Sequence, residues 1–188
     1  GSESRLPGFE SVRADLEAAG VPVVVTRSGA ANERSDSTVE SAVHQRVSEY
    51  LDRGGVLNVE RMLRFLAAEY GTGDWAVEEP IELPETGVYH PDHPSVTVEE
   101  LTETFDPDQP TVGVWFYESH WTFENTRYVD ALVRALESQE VNAFPVFTTP
   151  TGDDSGARDA RWVAENWFAG EPGAAVDAVV TTFMYSLS

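Results

Sequence analysis

The sequence predicts an α/β fold: a layered, mostly parallel sheet of Rossmann or flavodoxin-like type, with extra helices on its N-terminal side. Three observations carry this expectation. Apolar runs at Val112–Tyr117, Ala143–Phe147 and Val176–Thr182 begin about thirty residues apart, the size of a strand–helix–strand unit. The stretches between them have helical periodicity, as crossover helices require. Val112-Gly-Val-Trp-Phe-Tyr117 is apolar almost without interruption, which suits a strand covered on both faces.

The elements follow in order. Phe9, Val12, Leu16 and Ala19 recur at helical spacing, with Gly20 placed for a C-terminal cap. Val21-Pro-Val-Val-Val25 reads as a short strand, its proline near the start where a missing donor is tolerated. Ser37-x-x-Glu40 has the form of a capping box before a helix whose stripe is Val39, Ala42, Val43, Val47 and Leu51. On that helix His44 is read as a surface residue. After Gly54-Gly55, Asn58 is expected to cap a second helix with Met62, Leu63, Phe65, Leu66 and Tyr70 inward, ended by Gly71 and Gly73.

Residues 72–110 are punctuated by proline at 80, 84, 91, 94, 107 and 110. A connecting segment of this length is functional or wraps a surface. One short helix is expected inside it, since Thr97-x-x-Glu100 is another capping box and Leu101 and Phe105 are four apart. Beyond it, Asn125 is placed to cap a helix bearing Tyr128, Val129, Leu132, Val133 and Leu136, and Trp162–Trp167 form a helix ending near Gly170. No helical pattern follows the last strand, so the sheet is expected to belong to a larger protein and to be cut short at its C-terminal side. Three parts result: 1–71, 72–110 and 111–188.

Charge narrows the function. The chain has 33 acidic residues against 12 basic ones, a formal net charge of -21, and every basic residue is arginine. Such a chain repels itself in dilute buffer and is screened by salt. Dense carboxylates and absent lysine point to the cytoplasm of a salt-loving organism. No basic patch is present to neutralise phosphates, which argues against nucleic-acid binding, and no apolar run approaches a membrane span. Absent cysteine removes disulfides, thiolate metal sites and a cysteine nucleophile. There is neither a Walker loop nor a G-x-G-x-x-G turn, so nucleotide is expected to bind elsewhere.

Three ordered stretches resemble a known family. They are Tyr50-Leu-Asp-Arg-Gly-Gly55 with Asn58 and the Met62–Leu66 helix; Gly87-Val-Tyr-His-Pro-Asp92; and Pro110-Thr-Val-Gly-Val-Trp-Phe-Tyr117 with Asn125-Thr126, Tyr128–Glu137 and Pro145-Val-Phe147. In order and spacing, over roughly residues 40–182, they resemble the CobN-type cobaltochelatase large subunit, a relative of the magnesium chelatase large subunit. Two places depart from the pattern: Glu140-Val-Asn stands where the resemblance leads one to expect glycine, and Ser119-His-Trp121 has no match.

The resemblance implies an N-terminal fragment of the tetrapyrrole- and metal-binding subunit of an ATP-dependent chelatase. It implies Co2+ insertion into a corrin-ring precursor of cobalamin, with Mg2+ as the alternative metal. ATP would be hydrolysed by a separate AAA+ subunit that works with a von Willebrand-type subunit. The fragment alone is expected to be inactive. A small-ligand-binding α/β module unrelated to chelatases is the rival reading.

Metal insertion needs bases for the ring protons and oxygen or nitrogen ligands for the metal. Glu118, His120 and Trp121 directly follow a parallel strand, and open α/β sheets bind ligands beyond the carboxyl ends of such strands. They are the candidate substrate loop, against the plainer reading of an ordinary strand-to-helix connection. His90, Asp92 and His93 form the densest imidazole and carboxylate group and are the candidate metal ligands, against a plain His-Pro turn. The residues that perform insertion are not identified by the sequence.

Overall fold

A computed structural model describes residues 8–26, 36–149, 160–169 and 174–183. The chain divides into two compact units, Gly1–Glu82 and Leu83–Ser188.

The second unit holds the sheet. Its strands are β1 (Thr86–Val88), β2 (Thr111–Tyr117), β3 (Asn142–Thr148) and β4 (Ala178–Thr181), in spatial order β1-β3-β2-β4. Strand β2 runs parallel to both β3 and β4, and β1 is antiparallel to β3. The mostly parallel sheet predicted from the three apolar runs is present. Strand β1, inside the proline-punctuated segment, is an addition that three residues were too few to signal.

Side chains alternate across the sheet, as the two-residue period of a strand dictates. Val114, Phe116, Ala143 and Phe147 face one cluster, closed by Val129 and Val133 of α6 (Arg127–Glu137). Phe144 and Val146 face the other, closed by Leu101 of α4 (Val98–Thr102) and by Val163, Trp167 and Phe168. Val163 ends α7 (Ala160–Val163), which continues as a π-helical turn, Ala164–Phe168. Gly170, expected to close that helix, lies outside the described residues. The helix after β2 and the helix after β3 therefore cover opposite faces. Burial of each phenylalanine stabilises the unit by roughly 1.5–3 kcal/mol.

Two glycines are fixed by close approach: a Cβ on Gly87 would lie 2.5 Å from the Phe147 ring, and one on Gly113 would lie 2.9 Å from Phe168. Pro145 sits in the inner strand β3, where proline is rarely tolerated. Its carbonyl accepts from Tyr89 N–H (3.0 Å), just past the end of β1. The missing N–H faces the side where β1 has already ended, so no ladder bond is lost to β2.

N-terminal capping agrees with expectation in one helix and differs in three. Thr97 and Glu100 close a complete capping box on α4. Asn125 does not cap α6: Thr126 is the N-cap, without a side-chain bond, and the Asn125 N–H donates to His120 O at 2.7 Å. Glu140, where the family resemblance calls for glycine, has φ 57°, a left-handed conformation that glycine adopts without strain.

The first unit contains α1 (Phe9–Ala18), α2 (Ser41–Arg53) and α3 (Val56–Tyr70). Residues 21–26 are extended but pair with no strand among the described residues. Their partners are the Leu16 carbonyl, the Thr38 backbone N–H and polar side chains. Val23 N–H donates to Thr38 Oγ1 (2.9 Å), Val25 N–H to Ser37 Oγ (2.8 Å), and His44 Nε2–H to Val25 O (3.1 Å). This corrects two expectations. Ser37 forms no capping box, since its hydroxyl is committed to Val25, and α2 starts at Ser41 with no side-chain cap. His44 is buried, with 5% of its surface exposed, and is not a surface residue.

Asn58 also differs from expectation. It lies within α3, fully buried, and does not cap it. Its side chain donates to Gly54 O and Ile81 O and accepts from Ile81 N–H, at 2.8, 2.8 and 2.9 Å. Tyr50 OH donates to Glu78 O at 2.5 Å. Arg53 pairs with Glu82 and Arg61 with Glu78, at 2.6 and 2.7 Å, and Arg46 pairs with Glu79. The apolar part is small: Val39, Val43 and Val47 meet Met62, Phe65 and Leu66. Leu51, Leu63 and Tyr70, expected inward, are exposed.

Candidate functional site

The chain leaves the sheet centre through β2 and moves to β3 on one side, then to β4 on the other. In open α/β sheets the carboxyl ends of strands flanking such a reversal, here β2 and β4, are where ligands are received. Helix α5 (Glu118–Thr122) starts there, immediately after Tyr117.

The structure brings all three candidate loop residues onto this one helix. Trp121 stacks flat on Phe147, with centroids 4.6 Å apart and planes at 10°, and its Nε1–H donates to Pro94 O at 3.3 Å. His120 meets the edge of Tyr128 at 5.1 Å and lies 6.2 Å from Tyr117. Tyr128 OH is 3.2 Å from Thr182 Oγ1, just beyond β4. Glu118 is half-buried and accepts from the Thr122 hydroxyl. Burial, and after it the charge of Glu85, raises the Glu118 carboxyl above the ordinary glutamate range. Burial likewise raises the Tyr128 phenol. The site therefore offers one hindered carboxylate, one imidazole and a rim of aromatic rings: Tyr117, Trp121 and Tyr128.

Sequence reasoning missed Glu85, Tyr128 and Thr182 as members of this group. Tyr128 had a visible signal, its place in the first turn of the helix after β2. Glu85 had none, because β1 was not foreseen.

His90, Asp92 and His93 sit in a turn on another part of this unit. His90 Nδ1 accepts from Asp92 N–H at 3.2 Å, so Nε2 carries the proton and donates to Glu137 Oε1 at 2.8 Å. Asp92 pairs with Arg134, which reaches Glu137 at 3.0 Å. That guanidinium holds the Asp92 carboxyl below its usual range. The four side chains form a closed ring of contacts that fastens the turn to the last turn of α6. The His93 ring stacks on His90 at 6.1 Å. Among the described residues, no three imidazole or carboxylate side chains stand together so as to hold a metal ion. A cleft of about 800 Å³ opens beside the turn, lined by His90, His93, Val96, Glu100 and Leu101.

A family model described as CobN/Magnesium Chelatase matches residues 48–188, three quarters of the chain. The chain belongs to the CobN/magnesium chelatase family. Among its relatives, the magnesium-chelatase H protein of Rhodobacter capsulatus is 28% identical over 145 residues, covering 74% of this chain and 11% of that protein. The aerobic cobaltochelatase CobN protein of a Sinorhizobium species is 33% identical over 127 residues, 62% of this chain and 10% of that protein. The fold is shared with the catalytic subunit of cobaltochelatase from Mycobacterium tuberculosis: TM-score 0.64 at 24% identity, over 93% of this chain and 13% of that subunit. This family member thus spans about a tenth to an eighth of its relatives' length. No helix among the described residues is long and apolar enough to cross a membrane.

Proposed function

We propose that this chain is a substrate-contacting part of the large subunit of an ATP-dependent cobaltochelatase. In that reading the subunit holds a corrin-type tetrapyrrole while Co2+ enters it. An AAA+ ATPase and a von Willebrand-type subunit supply the work of ATP hydrolysis, and this chain alone turns nothing over. The organism's cytoplasm is salty, which accounts for the net charge of -21.

One observation carries the reading: in a chain of the chelatase family, a half-buried carboxylate, an imidazole and an indole share a five-residue helix at the carboxyl edge of the sheet. Inserting a dication into a free-base ring releases the proton or protons carried by the ring's inner N–H groups. Glu118 and His120 are bases of the right kind to receive them. The flat faces of Trp121 and Tyr128 suit the edge of a planar ring.

Magnesium chelatase is the second reading. It is favoured by coverage, since the Rhodobacter magnesium-chelatase relative matches 74% of this chain and the CobN relative 62%. The test is titration of the protein in molar salt with a metal-free corrin precursor, a metal-free porphyrin, Co2+ and Mg2+, followed by tryptophan fluorescence and calorimetry. Saturable quenching by the corrin above the porphyrin supports cobalt, and the reverse order supports magnesium. Heat and quenching from neither ring would overturn the proposal that this chain meets the substrate.

A further inference from the structure

The segment that leaves β1 touches both helices that follow β2. Tyr89 is buried, and its hydroxyl donates to Asp130 Oδ1 at 2.7 Å and lies 3.1 Å from Thr126 Oγ1, at the start of α6. The next residues are fastened to the end of α6: His90 Nε2–H donates to Glu137 Oε1 at 2.8 Å, and Asp92 pairs with Arg134. The chain then turns twice, with His93 N–H on His90 O at 3.0 Å and Val96 N–H on His93 O at 3.1 Å. Pro91 and Pro94 stiffen this stretch, because each ring fixes its φ. On α5, Trp121 Nε1–H donates to the Pro94 carbonyl at 3.3 Å. The flat stack of Trp121 on Phe147 leaves the indole free to rotate in its own plane. The bond to Pro94 sets that angle.

We infer that His90 is a positioning residue for Trp121: by fastening the turn to Glu137 it holds in place the Pro94 carbonyl that orients the indole on α5. The inference rests on the reading of Trp121 as a contact of the tetrapyrrole and adds the residue that sets its orientation. It gives the Gly87–Asp92 stretch a role other than metal ligation. Both His90 nitrogens are engaged, Nδ1 by Asp92 N–H and Nε2 by Glu137, and the side chain is only 13% exposed. The imidazole is therefore a brace. Each link from Glu137 to Trp121 is a direct contact or a short rigid turn, so it persists in molar salt, which removes only longer-range charge effects. The Asp92–Arg134 pair is exposed and adds little. His90 itself does not touch the tetrapyrrole.

The test is indole N–H hydrogen exchange by NMR in molar salt, with the Trp121 resonance assigned through Trp121→Phe and Trp115 of β2 as the reference for the sheet. In His90→Ala the Trp121 indole should exchange about fivefold faster, the scale of one lost hydrogen bond, with Trp115 unchanged. Glu137→Ala should give the same rise, and the double variant no more than either, because both break one contact. His90→Gln, which can still donate to Glu137, should restore most of the protection. A purely structural brace would lower the melting temperature and move Trp121 and Trp115 together. An unchanged Trp121 rate in His90→Ala, a rise shared equally by Trp115, or additive effects in the double variant would overturn the inference. This readout needs no ring to bind, so it fails separately from the proposed function. In a titration with the metal-free corrin precursor, His90→Ala should weaken binding about threefold in the parent and leave it unchanged in a Trp121→Phe background. Equal weakening in both backgrounds would count against the inference.

Discussion

The two units of this chain are held by different chemistry. In the unit from Leu83 onward, valine and phenylalanine alternate across a sheet and are closed on both faces by helices. In the unit up to Glu82, α1 buries no side chain and the one fully buried residue of α3 is an asparagine. There the order comes from directed polar contacts: Asn58 to Ile81, Tyr50 to Glu78, and Ser37, Thr38 and His44 to the extended stretch 21–26. An apolar core is robust to small shifts because burial has no direction. A polar scaffold is specific but fails sharply when a single donor or acceptor is removed.

That contrast can be broken by mutation, beginning with the largest effect. Phe144→Ala, at a fully buried site between the sheet and Trp167, should cost about 3–5 kcal/mol in denaturant unfolding. Asn58→Ala should cost about 2–3 kcal/mol, because it strands the Gly54 and Ile81 carbonyls and the Ile81 amide. Leu66→Ala is the control. If Asn58→Ala proves milder than Leu66→Ala, the first unit is held by its small apolar cluster and the contrast is wrong.

A smaller effect is expected from Glu118→Gln, and it depends on pH. The folded carboxyl titrates above its unfolded value. Between those two values the folded state therefore binds more protons, and stability falls as pH rises through the window. Removing the charge should stabilise the protein at neutral pH. The advantage should vanish as pH falls below the ordinary glutamate value of about 4.3. Melting temperatures of parent and variant across pH check this, and a constant difference would contradict it. The smallest effect is Glu140→Gly, which relieves a left-handed backbone after α6. It should stabilise the protein by no more than about 1 kcal/mol, since glycine also gains freedom in the unfolded chain.

The same contrast explains what could be read from the sequence. Periodicity reports burial, so the apolar runs gave the strands at 111–117 and 142–148 and their parallel order. It fails where order is polar. His44, Ser37 and Asn58 were each read through a local rule, a surface position or a helix cap. Each is instead spent on a partner 12 to 23 residues away that no local pattern reveals. Leu63 and Tyr70 have the spacing of an inward stripe and lie exposed. For the site, Glu118, His120 and Trp121 were legible because they follow a recognisable parallel strand. Glu85 and Thr182 reach it through registers that only the assembled sheet defines.

The central claim is that the carboxyl edge of the sheet meets the tetrapyrrole. The most direct measurement is amide and indole NMR of the protein in molar salt during titration with a metal-free corrin precursor, with Trp121→Phe and His120→Asn as companions. The account predicts ring-current shifts concentrated at Tyr117–Trp121, Tyr128 and Thr182, weakened in both variants. Shifts spread over α2 and α3, or none at α5, would contradict it.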